Sequence, residues 1–142
     1  MRTVVAVLRG GPSSEYEVSL RTGASVLEAL DKEKYEPRDI FISRGGEWHL
    51  HGVAVPTERA LYGADVAFNA MHGEFGEDGQ VQRLLDRLSV PYTGSGAIPS
   101  ATAFHKHLTK EAAKKLGVKV AHSVLVERGE DIEALAHELF RT

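Results

Sequence analysis

Two glycine-containing loops carry the polar residues with which this sequence could recognise a small molecule. The segment AMHGEFGEDGQ, residues 70–80, places His72 among glycines and acids directly after an apolar run, and a second loop, residues 10–17, contains Glu15. Carboxylates can bind an ammonium group, whereas a histidine and the free N–H groups at a helix start can bind a carboxylate. This combination favours a zwitterion, such as a free amino acid, as the ligand.

Phosphate is the obvious alternative ligand for glycine-rich loops, but the residue types argue against it. Neither loop ends in the Gly-Lys-Ser/Thr of a P-loop, and neither has the spacing G-x-G-x-x-G. The segment GSGAIP has Pro99 where the third glycine belongs. Glu74, Glu77 and Asp78 would repel a phosphate placed in the acidic loop.

Each of these polar residues also has a purely structural interpretation. Glu15 could complement the positive end of a helix, an interaction worth about 0.3–1 kcal/mol. Glu17 follows Ser14 by three residues, which predicts a capping box, and Asp78 could cap the helix after the acidic loop. A histidine at the end of a strand, such as His72, could be a hydrogen-bonded structural residue. Spacing alone leaves these alternatives open.

Composition narrows the class of protein. The chain has 142 residues, 42% hydrophobic and 26% charged, with a net charge of −3, which suits a globular protein and argues against a nucleic-acid binder. The absence of cysteine excludes disulfides and thiolate metal sites. The apolar run near the N-terminus is too short for a signal peptide or a membrane span, so we expect a cytoplasmic protein that does not contact a membrane.

The remaining histidines and lysines do not suggest a metal site. His49 and His51 share a strand face, but two imidazoles are an incomplete ligand set. His105 and His107 would not face each other on a helix. We predict that all four lie on the surface, and that the lysines of the helix around residue 110 form a solvated face.

Hydrophobic periodicity predicts the elements that position the two loops. Alternating strands and helices over residues 4–104 indicate an open parallel α/β sheet with flanking helices. Ligands bind such sheets beyond the carboxyl ends of the strands, where both loops would lie. The predicted strands cover residues 4–8, 35–43 (with a hairpin at 44–48), 65–71, about 90–93 and 118–126, and the predicted helices begin at residues 14, 81, 101 and 132.

Three segments resemble the N-terminal part of the D-alanine–D-alanine ligases, which belong to the ATP-grasp superfamily. They are GGPSSEYEVSLRTG (10–23), AMHGEFGEDGQVQRLL (70–85) and VPYTGSGAIPSATAFHKHLTK (90–110). The resemblance implies a Rossmann-like pre-ATP-grasp domain over residues 1–104. It further implies that residues 105–142 hold a connecting helix and the first strand and helix of the central lobe.

The resemblance also implies roles for individual residues. Glu15 would bind the ammonium of the first D-alanine, Val18 would line its site, and His72 would lie beside its carboxylate. Lys106 would reach toward ATP, although His105 replaces the aspartate that usually precedes this lysine. In the family, ATP with Mg²⁺ phosphorylates the first D-alanine, and the second D-alanine attacks the acylphosphate.

Several hypotheses remain open beside a ligase for peptidoglycan precursors. Because family members are roughly twice as long, we expect this chain to be a fragment or a truncation without ligase activity of its own. A binding or dimerisation module with the ligase fold is one alternative, and the family resemblance makes a homodimer plausible. A ligase with D-lactate or D-serine as acceptor is another alternative.

Overall fold

The computed structural model describes residues 1–129 and 131–139, and the chain divides into two compact units, residues 1–104 and 105–142. The first unit contains the whole sheet, and the described part of the second contains only helices and irregular segments. The elements of the first unit are β1 (Thr3–Gly10), α1 (Tyr16–Ala29), β2 (Tyr35–Ile42), β3 (Trp48–Leu50), β4 (Val53–Ala54), α2 (Thr57–Leu61), β5 (Val66–Asn69), α3 (Gln80–Arg87) and α4 (Ala97–Phe104). Those of the second are α5 (Lys106–Lys115) and α6 (Ile132–Leu139).

The five strands form one open sheet in the order β4-β3-β2-β1-β5. The central strand β1 pairs in parallel with β2 and β5, and β3 returns antiparallel to β2 as the predicted hairpin. This confirms the open α/β sheet with flanking helices. The strand expected near residues 90–93 is reduced to one parallel bridge, in which Ala67 pairs with Tyr92.

Both faces of β1 are buried, which explains its continuous apolar sequence. Val5 and Val7 pack toward α1 with the partly buried side chains of Val26 and Leu27. Ala6 and Leu8 point into the other layer, which contains the larger core. That second core also includes Ile40, Ile42, Trp48, Leu61, Met71, Val81 and Leu85.

A buried hydroxyl joins the carboxyl ends of β1 and β5 to α1. Ser19 is 0% exposed. Its Oγ accepts from the N–H of Gly10 at 2.8 Å and donates to the carbonyl of Ala70 at 3.0 Å. Both candidate loops begin at these two backbone positions, so this one side chain sets where they leave the sheet.

The start of α1 differs from the predicted capping box. The helix begins at Tyr16, and the N–H of Glu15 donates to Ser13 Oγ at 3.0 Å. Glu17 instead accepts from Arg44 Nη2 at 3.0 Å, because the turn after β2 brings the guanidinium to the first turn of the helix. The prediction for Ser14 and Glu17 was therefore wrong, since the competing charged partner is 27 residues away in sequence.

Two predictions near the C-terminal end were also wrong. The helix expected from residue 101 is two helices, separated by an extended His105 whose Nδ1 accepts from the N–H of Leu108 at 3.4 Å. Residues 118–126 do not form a strand, because a strand requires a neighbour for its backbone hydrogen bonds and no strand in the described part of the chain pairs with them. The predicted last helix is confirmed as α6. No helix among residues 1–129 and 131–139 has the length and apolar composition needed to cross a bilayer.

We predict that Ser19→Ala destabilises the protein strongly. The substitution leaves the N–H of Gly10 and the carbonyl of Ala70 without this partner, at about 1–3 kcal/mol for each buried group left unsatisfied. Urea unfolding followed by circular dichroism measures the loss. Ser25→Ala is the matched control, because Ser25 is exposed and its Oγ only donates to the carbonyl of Arg21 within the same helix. Equal losses in the two variants would contradict the assigned role of Ser19.

Candidate functional site

The two loops meet at Gly73. This residue is buried with a φ of 73°, and a Cβ built on it would overlap Ser13 Oγ and lie 3.5 Å from Glu15 Oε1. Only a glycine therefore allows the acidic loop to approach the Glu15 loop this closely. As a result, the carboxylate of Glu15 lies beside the residue that follows His72, at the carboxyl edge of the sheet.

His72 is held from two sides. Its Nε2 is 2.9 Å from Thr22 Oγ1, and its Nδ1 is 4.0 Å from Glu77 Oε1. About a third of its side chain is exposed (32%), so the ring remains accessible. The other oxygen of Glu77 accepts from the N–H of Gly73 at 2.7 Å. Glu77 thus fixes both the backbone after the histidine and the surroundings of the imidazole.

Asp78 and the carbonyl of Gly76 also accept hydrogen bonds that hold the acidic loop in place. Asp78 accepts from the N–H of Phe75 and from the N–H of Gln80, the first residue of α3, both at 3.0 Å. Partial burial opposes ionisation of Asp78, but these N–H groups outweigh it and lower the pKa of the carboxyl below its usual value. The carbonyl of Gly76 accepts from Asn69 Nδ2 at 2.7 Å and Gln82 Nε2 at 2.9 Å.

A cleft of about 510 Å³ opens beside the acidic loop at the end of β5. His72 and Glu77 supply its ionisable groups, and Phe68 and Met71 supply apolar surface. A small zwitterion with a short apolar side chain is compatible with this lining. Its size falls within the range of small-molecule sites, about 300–1,000 Å³.

The structure brings some of the predicted site residues together and leaves others apart from this contact. Glu15 and His72 flank the meeting point of the loops, as described above. Val18 lies on the first turns of α1 with 39% of its surface exposed. Lys106 is the first residue of α5 and is exposed, but it belongs to the second unit. Among residues 1–129 and 131–139, no three His, Asp or Glu side chains are grouped as metal ligands.

The sequence-based prediction did not identify Thr22 and Glu77 as site residues. Thr22 is four residues beyond Val18 on α1, so helical spacing could have placed both on one face. Glu77 was considered only as one of the loop acids, which would repel a phosphate and could bind an ammonium group. Its hydrogen bond to Gly73, four residues earlier, depends on the folded loop and has no clear signal in the sequence.

Comparison with known protein families gives one consistent result. The family model described as D-ala D-ala ligase N-terminus matches residues 4–60 and 53–95. A D-alanine–D-alanine ligase from Solibacter usitatus (strain Ellin6076) is 41% identical over 128 residues, which cover 90% of this chain and 39% of the relative. One from Chelativorans sp. (strain BNC1) is 45% identical over 126 residues, covering 89% and 38%. The chain therefore spans about two-fifths of the length of these relatives.

Solved structures show the same similarity. The D-alanine–D-alanine ligase from Coxiella burnetii superposes with a TM-score of 0.89 at 29% identity, covering 99% of this chain and 49% of that chain. The VanG D-Ala:D-Ser ligase from Enterococcus faecalis gives a TM-score of 0.81 at 25% identity, with the same coverage.

We predict that Gly73→Ala separates the two loops and destabilises the first unit. An L-residue at this φ costs about 1–2 kcal/mol, and the new methyl group would also displace Ser13 Oγ. Gly63→Ala is the matched control, because Gly63 has a φ of 72° but nothing within 4 Å of a built Cβ. Urea unfolding should show a larger loss for Gly73→Ala, and the amide resonance of Glu15 should shift in that variant only. Equal effects would mean that the loops are not in contact.

We predict that Asp78 makes the stability of the protein depend on acidic pH. Because its pKa is lowered on folding, the ionised carboxylate stabilises the native state above the unfolded pKa of 3.8, and this contribution is lost as the pH falls through the folded value. The difference in unfolding free energy between the protein and Asp78→Asn should therefore shrink from pH 6 toward strongly acidic pH (about 2). A difference that stays constant over this range would contradict the assignment.

Proposed function

We propose a function for this chain from the family to which it belongs, the D-alanine–D-alanine ligases. In this proposal, residues 1–104 form the substrate-side N-terminal domain of an ATP-dependent ligase that joins two D-alanines for peptidoglycan precursors. The observation that supports the proposal is the contact of the two loops at Gly73, where the Glu15 carboxylate lies beside the residue that follows His72.

Each residue at this edge has a role that suits its chemistry. The carboxylate of Glu15 binds the ammonium of the first D-alanine, and Val18 lines the site on the same helix turn. His72 donates a hydrogen bond toward the substrate carboxylate, with its ring oriented by Thr22 and Glu77. A carboxylate for the ammonium and an imidazole for the carboxylate bind the two ends of a zwitterion separately, so they set its orientation, which is the main requirement for a reaction based on positioning.

ATP and Mg²⁺ belong to the proposed reaction, but the described residues do not fit a metal site. No three potential ligands are grouped among residues 1–129 and 131–139, so no step through the metal is assigned to them. Lys106 is our candidate for a contact with ATP. We propose that the 142-residue polypeptide alone has no ligase activity, and D-alanine-dependent ADP release from it would contradict this.

A D-serine acceptor is a second candidate, because the VanG D-Ala:D-Ser ligase has a similar structure over this region. D-lactate is the other acceptor that the family resemblance allows. The residues described here concern the first D-alanine in either case. The proposal also includes a cytoplasmic location and a homodimer formed through the first unit, which light scattering would test.

We predict that Glu15→Gln, in a complete ligase that contains this region, raises KM for the first D-alanine. Loss of a buried charge pair on binding costs about 2–5 kcal/mol, and this contact is closed only when substrate is bound. Glu17→Gln is the matched control, because Glu17 carries the same charge in the same helix turn but pairs with Arg44. Steady-state kinetics at low D-alanine should therefore show a large effect for Glu15→Gln and a small one for Glu17→Gln. Unchanged kinetics for both variants would return Glu15 to the role of a helix-start acid.

A further inference from the structure

A depression on the first unit is lined by two arginines, a histidine and a tyrosine. Its volume is about 510 Å³, and it shares no lining residue with the cleft beside His72. The proposed ligase function therefore gives it no role. Its lining residues are Arg38, Leu50, His51, Glu58, Arg59 and Tyr62.

Arg38 is held in place by carbonyl groups and lacks a counter-charge. Its Nη1 donates to the carbonyl of Tyr62 at 2.6 Å and to that of Ala60 at 3.4 Å. Within the described part of the chain, its Nη2 and Nε have no acceptor, and no carboxylate lies within 4.0 Å. The half-buried guanidinium is thus fixed in orientation, with N–H donors left over and no ion pair to any described residue.

Arg59 supplies a second guanidinium to the same depression. Its side chain is exposed and makes no hydrogen bond or ion pair with the described residues, and only its backbone N–H is bonded, to the carbonyl of Pro56 at 3.0 Å. Glu58 is the one acid in the lining, so the two arginines leave a local charge of +1 with His51 neutral. The whole chain carries −3. The depression is therefore positive on a protein that is otherwise acidic, which attracts anions.

The apolar lining adds a second requirement for the ligand. Tyr62 is 83% exposed, so its ring offers a free face, and Leu50 provides further apolar surface. Guanidinium groups match the oxygens of a phosphate through paired N–H donors, and two of them suit a dianion better than a single carboxylate. An aromatic side chain stacks on a planar ring.

We propose that this depression binds a small phosphomonoester that carries a planar ring, of the nucleoside monophosphate class. The phosphate lies between Arg38 and Arg59, and the ring packs on Tyr62 and Leu50. The volume of the depression is in the range of known small-molecule sites, about 300–1,000 Å³.

Titration with AMP, followed by NMR on the 142-residue polypeptide at low salt, tests the proposal. The amide resonances of Arg38, Leu50, Arg59 and Tyr62 should shift in a saturable manner. Adenosine lacks the phosphate and inorganic phosphate lacks the ring, so each should bind at least about tenfold more weakly, since either half of the contact is missing. Addition of D-alanine should not displace AMP, which separates this site from the proposed ligase site.

Three substitutions separate the two halves of the contact. Arg59→Gln should weaken AMP binding by about tenfold, the expected effect of losing one charged hydrogen-bonding group. Tyr62→Ala should reduce the affinity for AMP to that for inorganic phosphate, whereas Tyr62→Phe should retain it. Arg128→Gln is the charge-matched control in the second unit and should have no effect. Arg38 is left intact because its carbonyl contacts support the fold.

The proposal is overturned if Arg59→Gln and Tyr62→Ala leave the affinity for AMP unchanged. It is also overturned if the shifts are confined to Glu15, His72 or Lys106, because AMP would then bind at the ligase site. A dimer that covers Tyr62 and prevents the shifts would likewise overturn it.

Discussion

The hydroxyl of Ser19 is the contact on which the geometry of the candidate site depends. It binds the N–H of Gly10 and the carbonyl of Ala70, the last backbone groups before the two loops diverge from the sheet. Both partners are buried with it, so water cannot replace the hydrogen bonds, and breaking either one leaves a polar group unsatisfied. Since Ser19 lies on α1, the helix that carries Val18 and Thr22 is held in the same arrangement.

Gly73 then allows the two loops, whose starting points are fixed by the Ser19 hydroxyl, to come into contact. With the loop origins fixed, Gly73 can lie against Ser13 and Glu15, because it has no side chain and tolerates a positive φ. The Glu15 carboxylate therefore lies near the residue after His72 because Gly73 approaches the side chains of Ser13 and Glu15, and the described residues show no direct bond between Glu15 and His72. This arrangement leaves the carboxylate of Glu15 without a hydrogen bond to any described residue and the imidazole of His72 about a third exposed.

The acidic residues of the two loops differ in whether their carboxylates accept hydrogen bonds from the backbone. Asp78 binds the N–H groups of Phe75 and Gln80, and Glu77 binds the N–H of Gly73. These carboxylates are occupied by the backbone, so they shape the loop before any ligand arrives. Glu15 belongs to the other loop, is exposed, and has no resolved hydrogen bond through its carboxylate among the described residues. This is why we propose Glu15, and not Glu77 or Asp78, as the acid that binds the ammonium group.

The sequence by itself determined the order of the main elements, because apolar periodicity and glycine positions act locally. The buried strand β1, the hairpin after β2 and the amphipathic helix α3 were all predictable in this way, as was the edge of the sheet at which the two candidate loops lie. Only the tertiary structure decided which partner each polar side chain uses. Glu17 binds Arg44 and not the helix start, and His72 lies between Thr22 and Glu77. Residues 118–126 have strand-like composition, yet they form no strand within the described part of the chain. The physical reason is the same in all three cases. Hydrogen bonds and ion pairs form only between groups that the fold brings within about 3–4 Å, and a local sequence pattern does not specify which distant segment that will be.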